Sequence, residues 1–348
     1  MLTPTRKNKV QKSLKICVLG GGSFGTAMAN LAASNRCDST LWVRSARAVK
    51  YMKNNQINKD YLPDHKLHDQ LKYTSDLEEA VKGKDIVFVA VPSHAFRGVL
   101  QSIAPMISAQ AIVSLTKGIE KDTIALMSQV IAEELPQVPF GVISGPNLAT
   151  EIMNKVPSAT VIASKSAPLK NAVYSALNSP IFQVFTSDDV LGVELGGSLK
   201  NIYAVAMGMA DAYEIGENTR SMILTRALAE MSRLGSHMGA SPLTFLGLSG
   251  VGDLFATCSS SLSRNYRMGH MLGQGLSIKK ASKKLGQTAE GINTIQQARV
   301  KAQELGIFMP ITDALYEIIF ENKPPLAVAF DLLDEGQRSD VEFSLSDL

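Results

Sequence analysis

The residue that stands out chemically is a lysine set among small neighbours. If residues 188 to about 213 form one helix, the i±4 row through Lys200 reads Gly192, Gly196, Lys200, Ala204, Gly208. Glycine costs a helix about 1 kcal/mol relative to alanine, so its repetition needs a reason. Close packing of a neighbouring helix is one reason. A groove with a single ammonium projecting into it is the other. A desolvated lysine loses basicity and can act as a general acid or base near neutrality. Asp253 lies alone in the apolar, glycine-rich run 249–254. It reads either as a helix-start cap or as the buried partner of Lys200. Ser263-Arg264-Asn265 reads as a helix start, with Ser263 as cap and Arg264 and Asn265 in the first turn. Free N–H groups, the helix dipole and a guanidinium together form a phosphate site there; an ordinary capped surface helix is the alternative.

A second set of residues suits a dinucleotide. Gly20-Gly21-Gly22-Ser23-Phe24-Gly25 matches GxGxxG between a strand, Lys15 to Leu19, and a helix. In that context Gly20 permits the tight turn, Gly22 lets backbone approach a pyrophosphate, and Gly25 lets helix and strand pack closely. The second strand, 39–43, leads into Arg44, with Arg47 one helical turn on. NAD-specific sites usually carry an acid at that strand end. A guanidinium suits a 2′-phosphate instead, which favours NADPH over NADH. The alternative is a solvated arginine.

These groups must be held by a scaffold, and the pattern supplies one. Short apolar runs at 15–19, 39–43, 85–91, 111–115, 140–143, 159–163 and 182–185 alternate with helical stretches at 26–34, 77–81 and 123–134. That alternation predicts a Rossmann-like α/β domain, a mostly parallel sheet with helices on both faces. From residue 188 helical periodicity takes over, at 188–213, 219–238, 265–272, 278–285, 294–305 and 312–320. The expected organisation is a basic disordered tail over 1–13, a dinucleotide-binding domain over 14–189 and an all-α substrate domain over 190–348. Loops 91–94, 116–120 and 144–149 follow strands, where open α/β sheets bind ligands. Lys117 adds a second positive charge there, while His94 has no visible partner.

The 348 residues suit about two domains. Apolar residues make up 45% and charged residues 19%, which excludes a chain too polar to fold. Net charge is 35 − 32 = +3, giving no case for a nucleic-acid surface. No uncharged apolar run is long enough for a membrane span. Cys17, Cys37 and Cys258 are widely spaced, with no CxxC pair. They suggest neither a disulfide framework nor a metal site, and they fit a reducing, cytoplasmic setting. The tail carries four cations but no apolar core of a secretory signal.

Taken together, the motifs resemble bacterial-type NAD(P)-dependent glycerol-3-phosphate dehydrogenase. They are GGGSFGTA at 20–27, VPSH at 91–94, TKGIE at 116–120, SGPNLA at 144–149, GGSLKNIYA at 196–204, LSGVGDL at 248–254, SRNYRMG at 263–269 and AEG at 289–291. Phe24 stands where the family often has Trp or Tyr. The resemblance implies reversible reduction of dihydroxyacetone phosphate to sn-glycerol 3-phosphate for phospholipids, with Lys200 as proton donor and acceptor. It implies a substrate site of Lys117, Gly145, Asn147, Lys200, Asp253, Ser263, Arg264 and Asn265. It implies cofactor contacts from Ser23, Phe24, Arg44, Lys117, Ala149, Arg264, Thr288 and Glu290, beside Gly20, Gly22 and Gly25. No metal is expected, and a homodimer is the assembly considered. The rival readings are a hydroxyacid dehydrogenase with a carboxylate handle and a non-catalytic dinucleotide sensor.

Overall fold

The computed structural model describes residues 13–286 and 289–334. The tail at 1–12, Thr288 and the last residues of the expected second domain lie outside the described residues.

The first half contains strands β1 (Lys15–Leu19), β2 (Asp38–Trp42), β3 (Ile57–Asn58), β4 (Leu62–Lys66), β5 (Lys72–Thr74), β6 (Ile86–Val89), β7 (Ala111–Ser114), β8 (Phe140–Ser144), β9 (Ser158–Ala163) and β10 (Phe182–Ser187). Its helices are α1 (Ser23–Ser34), α2 (Ala46–Asn55), α3 (Leu77–Val81), α4 (Ser93–Ile103), α5 (Met127–Glu134), α6 (Ala149–Met153) and α7 (Ala167–Leu177). Eight strands form one sheet in the order β10-β9-β8-β7-β6-β1-β2-β5, and β3 pairs with β4 separately. Within the eight-stranded sheet all neighbours are parallel except β8 and β9; the separate β3–β4 pair is antiparallel. Side chains alternate between faces, and both faces are covered. Ile16 and Val18 of β1 pack in one core with α1 and α7, whereas Cys17 and Leu19 pack in another with α3, α4 and α5. This explains why β1 and β6 read as unbroken apolar runs.

The chain leaves β1 for β2 on one side, while β6 lies on the other. Strand order therefore reverses at β1, and the crevice beyond the C-terminal ends of β1 and β6 is the switch point. At the antiparallel step, Ser144 faces Val161. This brings the loop after β8 against the start of β9.

The second half is helical and built around α8 (Val190–Asp211), which is buried from Gly192 to Met209. Around it lie α9 (Glu217–His237), α10 (Asp253–Cys258), α11 (Arg264–Gly273), α12 (Ile278–Leu285), α13 (Gly291–Leu305), α14 (Pro310–Phe320) and α15 (Pro325–Asp334). The glycines of α8 serve close approach rather than an open groove. A Cβ at Gly196 would overlap the Ser249 carbonyl, and one at Gly208 the Tyr266 carbonyl. Gly269 of α11 reciprocates against the Val205 carbonyl. The row that could have been a groove is thus filled, by backbone at Gly196 and Gly208 and by the Asp189 and Thr244 side chains at Gly192, and Lys200 lies inside the seam. Among the described residues no helix is long and apolar enough to cross a membrane.

Candidate active site

The glycine-rich turn has the geometry its three glycines require. Gly20 has φ +128°, and a Cβ there would overlap the Ala90 carbonyl at the end of β6. Gly25 packs its helix onto the Gly20 carbonyl. Gly22 has open space where a Cβ would stand and precedes α1 without any side-chain cap. The first N–H groups of α1, from Ser23, Phe24 and Gly25, are thus left without a side-chain cap at the N-cap position. This arrangement fits a dinucleotide pyrophosphate. Asn58 holds the turn, its Nδ2 donating to Gly21 O at 2.8 Å and Thr26 Oγ1 at 2.9 Å. Sequence reasoning missed Asn58, because its strand has only two residues. Arg44 and Arg47 are exposed just beyond β2, which ends at Trp42. Neither makes a hydrogen bond or ion pair among the described residues.

Across the crevice lies a lysine–aspartate–lysine cluster. Asp253, 1% exposed, opens α10 immediately after an irregular π-type turn at 248–252. Its Oδ1 accepts from Lys200 Nζ and its Oδ2 from Lys117 Nζ, the latter at 2.7 Å. Asp253 is therefore the buried partner, and the helix-cap alternative is set aside. Lys200, 6% exposed, also donates to Thr257 Oγ1 at 2.6 Å. Thr257 lies one turn after Asp253 on α10, a spacing that could have revealed it. Lys117 also donates to Gly145 O at 2.8 Å, and its Nζ lies 6.0 Å from the centre of the Phe24 ring. Ser144 Oγ is 3.4 Å from Asp253 Oδ2.

An ammonium has three donors. Lys200 and Lys117 each spend two on these partners, which leaves each one for a ligand. Burial is the main cause that lowers the Lys200 pKa, to about 7. Asp253 opposes this shift and the Lys117 charge adds to it.

The remaining predicted residues divide into scaffold and free groups. Gly145, φ +147°, places its carbonyl on Lys117. Asn147 is occupied internally: its Nδ2 donates to Ala159 O at 2.7 Å and its Oδ1 accepts from Thr160 Oγ1 at 2.8 Å. Ala149 opens α6 and packs against the sheet core. Ser263 caps α11, accepting from Tyr266 N–H at 3.3 Å. Asn265 is held by Asn201, whose Oδ1 accepts from its Nδ2 at 2.7 Å, and its own Oδ1 accepts from Gly291 N–H at 2.9 Å. Asn201 in turn donates to the Lys117 carbonyl at 3.2 Å. This asparagine pair ties α8, α11 and α13 to the loop after β7. Asn201 lies in the run 196–204, and its adjacency to Lys200 is the one sequence signal for this role. Arg264 is exposed and makes no hydrogen bond or ion pair among the described residues. Glu290 reaches the first half, accepting from Ser93 N–H at 3.0 Å and Ser93 Oγ at 2.6 Å. His94 is exposed.

These two elements, a dinucleotide-type turn and a lysine helix meeting across a crevice, define the architecture of a two-part dehydrogenase. Comparison with known proteins narrows the class. Residues 15–170 match the family described as NAD-dependent glycerol-3-phosphate dehydrogenase N-terminus, and residues 189–329 the corresponding C-terminus. A protein of Psychrobacter cryohalolentis named glycerol-3-phosphate dehydrogenase [NAD(P)+] is 67% identical over 336 residues, covering 97% of this chain and 78% of the relative. A protein of Acinetobacter baumannii with the same name is 65% identical over 333 residues, covering 96% and 93%. The crystal structure of glycerol-3-phosphate dehydrogenase from Coxiella burnetii superposes with a TM-score of 0.89 at 38% identity, covering 93% of this chain and 99% of that one. The chain belongs to the NAD-dependent glycerol-3-phosphate dehydrogenase family.

Proposed function

We propose that this enzyme reversibly reduces dihydroxyacetone phosphate to sn-glycerol 3-phosphate with NAD(P)H, with Lys200 as the proton donor. The observation that carries this reading is the buried Lys200–Asp253–Lys117 cluster facing the glycine-rich turn. A bound nicotinamide would supply the hydride; the chain supplies the rest. As the ketone oxygen gains negative charge, the spare Lys200 donor stabilises it and then releases its proton to it. Asp253 holds both ammonium groups in place, so its part in substrate binding is indirect. Lys117 contributes the second positive charge. Arg264, at the first position of α11, offers its guanidinium beside the N–H groups of that helix to the phosphate. Phosphate binding then fixes the carbonyl relative to Lys200. Glu290 and Phe24 lie on the cofactor side, and Asn147, Ser263 and Asn265 keep the walls in register. The product fits a supply of glycerol phosphate to phospholipids in the cytoplasm.

The test is NADPH oxidation with dihydroxyacetone phosphate against 2-oxo and 3-oxo carboxylates; turnover confined to the carboxylates overturns the assignment. For the cofactor, unpaired Arg44 and Arg47 support preference for NADPH. Arg44→Asp should lower the NADPH-to-NADH ratio of kcat/KM. An unchanged ratio would mean that the 2′-phosphate is read elsewhere.

A further inference from the structure

Between Asp253 and Glu290 the chain contains no acid. Residues 254–289 instead carry Arg264, Arg267, Lys279, Lys280, Lys283 and Lys284, in a protein whose overall net charge is only +3. Four of these lie on α12, all four exposed and without an ion pair among the described residues. Their placement works against the helix twice. Lys279 and Lys280 occupy its first turn, behind the Ser277 cap, at the positive end of the dipole. Lys279 with Lys283, and Lys280 with Lys284, are like charges one turn apart. Only Lys283 and Lys284, in the last turn, suit the dipole. Stability therefore does not explain this face.

The position of α12 supplies a reason. A four-residue connection, 274–277, folds it back on α11, the two packing through Met268, Met271, Ala281 and Leu285. The α11 helix is only ten residues long, about 15 Å, and it begins at Arg264. Asp211, which meets α11 through His270, is already paired with Arg220. The apolar side of α12 is used against α11, so no apolar face is left to enter a lipid surface.

We propose that the lysine face of α12, with Arg264 and Arg267, is an anion-collecting surface that concentrates phosphate-bearing small molecules, substrate and cofactor alike, at the mouth of the crevice. The proposal rests on the reading above that the substrate is a phosphate ester. Fields of this kind raise encounter rates by about tenfold or more and fade with salt.

The test compares wild type with the variant Lys279→Gln, Lys280→Gln, Lys283→Gln, Lys284→Gln across ionic strength. At about 20 mM salt, KM for dihydroxyacetone phosphate should rise by roughly threefold to tenfold, with kcat unchanged. The two proteins should converge at high salt, and neutral dihydroxyacetone should show no difference. Stopped-flow association of NADPH should slow in parallel. Lys279→Glu with Lys280→Glu, which suits the helix dipole and lowers the charge of α12 by the same amount, should fold at least as well and raise KM to a similar extent. Equal salt dependence in all three proteins overturns the proposal, as does an equal change with dihydroxyacetone. Loss of binding to anionic phospholipid vesicles with KM and NADPH association unchanged also overturns it, reassigning the face to a lipid surface. If wild type does not turn over dihydroxyacetone phosphate, the functional reading fails instead, and NADPH association still decides the proposal.

Discussion

The two sides of helix α8 bury ionisable groups in opposite ways. On the crevice side, Lys200 shares a carboxylate with Lys117, and its pKa is brought down to about 7 by burial. Away from the crevice, the buried acids Glu194 of α8 and Glu230 of the neighbouring α9 have no ion-pair partner among the described residues. Glu194 of α8 accepts the Ser128 N–H at 3.0 Å, at the start of α5. Glu230 of α9 accepts Ile311 N–H at 2.5 Å, Thr312 Oγ1 at 3.1 Å and the Tyr203 hydroxyl of α8 at 3.2 Å, at the start of α14. Neither α5 nor α14 has a side-chain hydrogen bond from its own capping residue, Leu126 or Met309. The two glutamates therefore cap neighbouring helices across the structure. Burial is the main cause that pushes both acids up to about 7. The difference teaches that burial of charge alone does not mark chemistry. What distinguishes Lys200 is its place at the crevice beside Lys117; Glu194 also keeps an oxygen without a partner, Oε2, but that atom is buried away from solvent.

The largest expected break in this comparison is Lys200→Met. Loss of a general acid should reduce turnover by about 10²–10⁴, while NADPH binding, measured by fluorescence titration, stays close to wild type. Near-normal turnover in the folded variant would remove Lys200 from the chemistry.

Next in size is Arg264→Ala. A charge-assisted hydrogen bond is worth about 1.5–3 kcal/mol, so kcat/KM for dihydroxyacetone phosphate should fall by about tenfold to a hundredfold. Dihydroxyacetone, which lacks the phosphate, should be affected far less. An equal loss for both substrates would place Arg264 on the cofactor or in the fold.

Much of this division was readable in the sequence. The strand–turn–helix at 15–34 showed itself because its glycines, flanking apolar run and helix onset are adjacent in the chain. Lys200 stood out because its row of small residues is periodic, although the glycines turned out to admit backbone rather than ligand. The Lys200–Asp253 pairing was anticipated from the cost of an unpartnered buried carboxylate. The attachment of Lys117 to the same carboxylate was not, because 136 residues separate them and only the sheet and α10 bring them together. Helix α2 escaped notice because it buries only Val49 and Met52, too few for a periodic signal. The short strands β3, β4 and β5 have the same difficulty. The glutamate caps were invisible locally, since each acid is far in sequence from the helix it caps.

The smallest effect concerns Glu230. Glu230→Gln places an amide opposite donors that now meet a carboxyl group, which should cost about 1–3 kcal/mol of stability and leave kcat near wild type. The pH dependence follows from the direction of each shift. The folded pKa of Glu230 lies above the unfolded value, 4.5, so the folded state holds a proton that the unfolded chain releases. Its stabilising contribution is full below about 4.5 and is lost as pH rises through about 7. Lys200 has the opposite sign: its folded pKa is below the unfolded 10.5, so its contribution to stability increases as pH rises from about 7 towards 10.5. Denaturant unfolding across pH should show the lower slope weakened in Glu230→Gln and the upper slope lost in Lys200→Met. Unchanged slopes in both variants would refute this division.

The central claim, that Lys200 moves the proton, is tested most directly by single-turnover pH profiles in both directions. Reduction of dihydroxyacetone phosphate needs the ammonium, so its rate should fall as pH rises through the Lys200 pKa. Oxidation of glycerol 3-phosphate needs the neutral amine, so its rate should fall as pH drops through the same value. Opposite limbs that share one apparent pKa near 7, both absent from Lys200→Met, are the predicted result. Profiles that move in the same direction, or opposite limbs that survive in Lys200→Met, would contradict it.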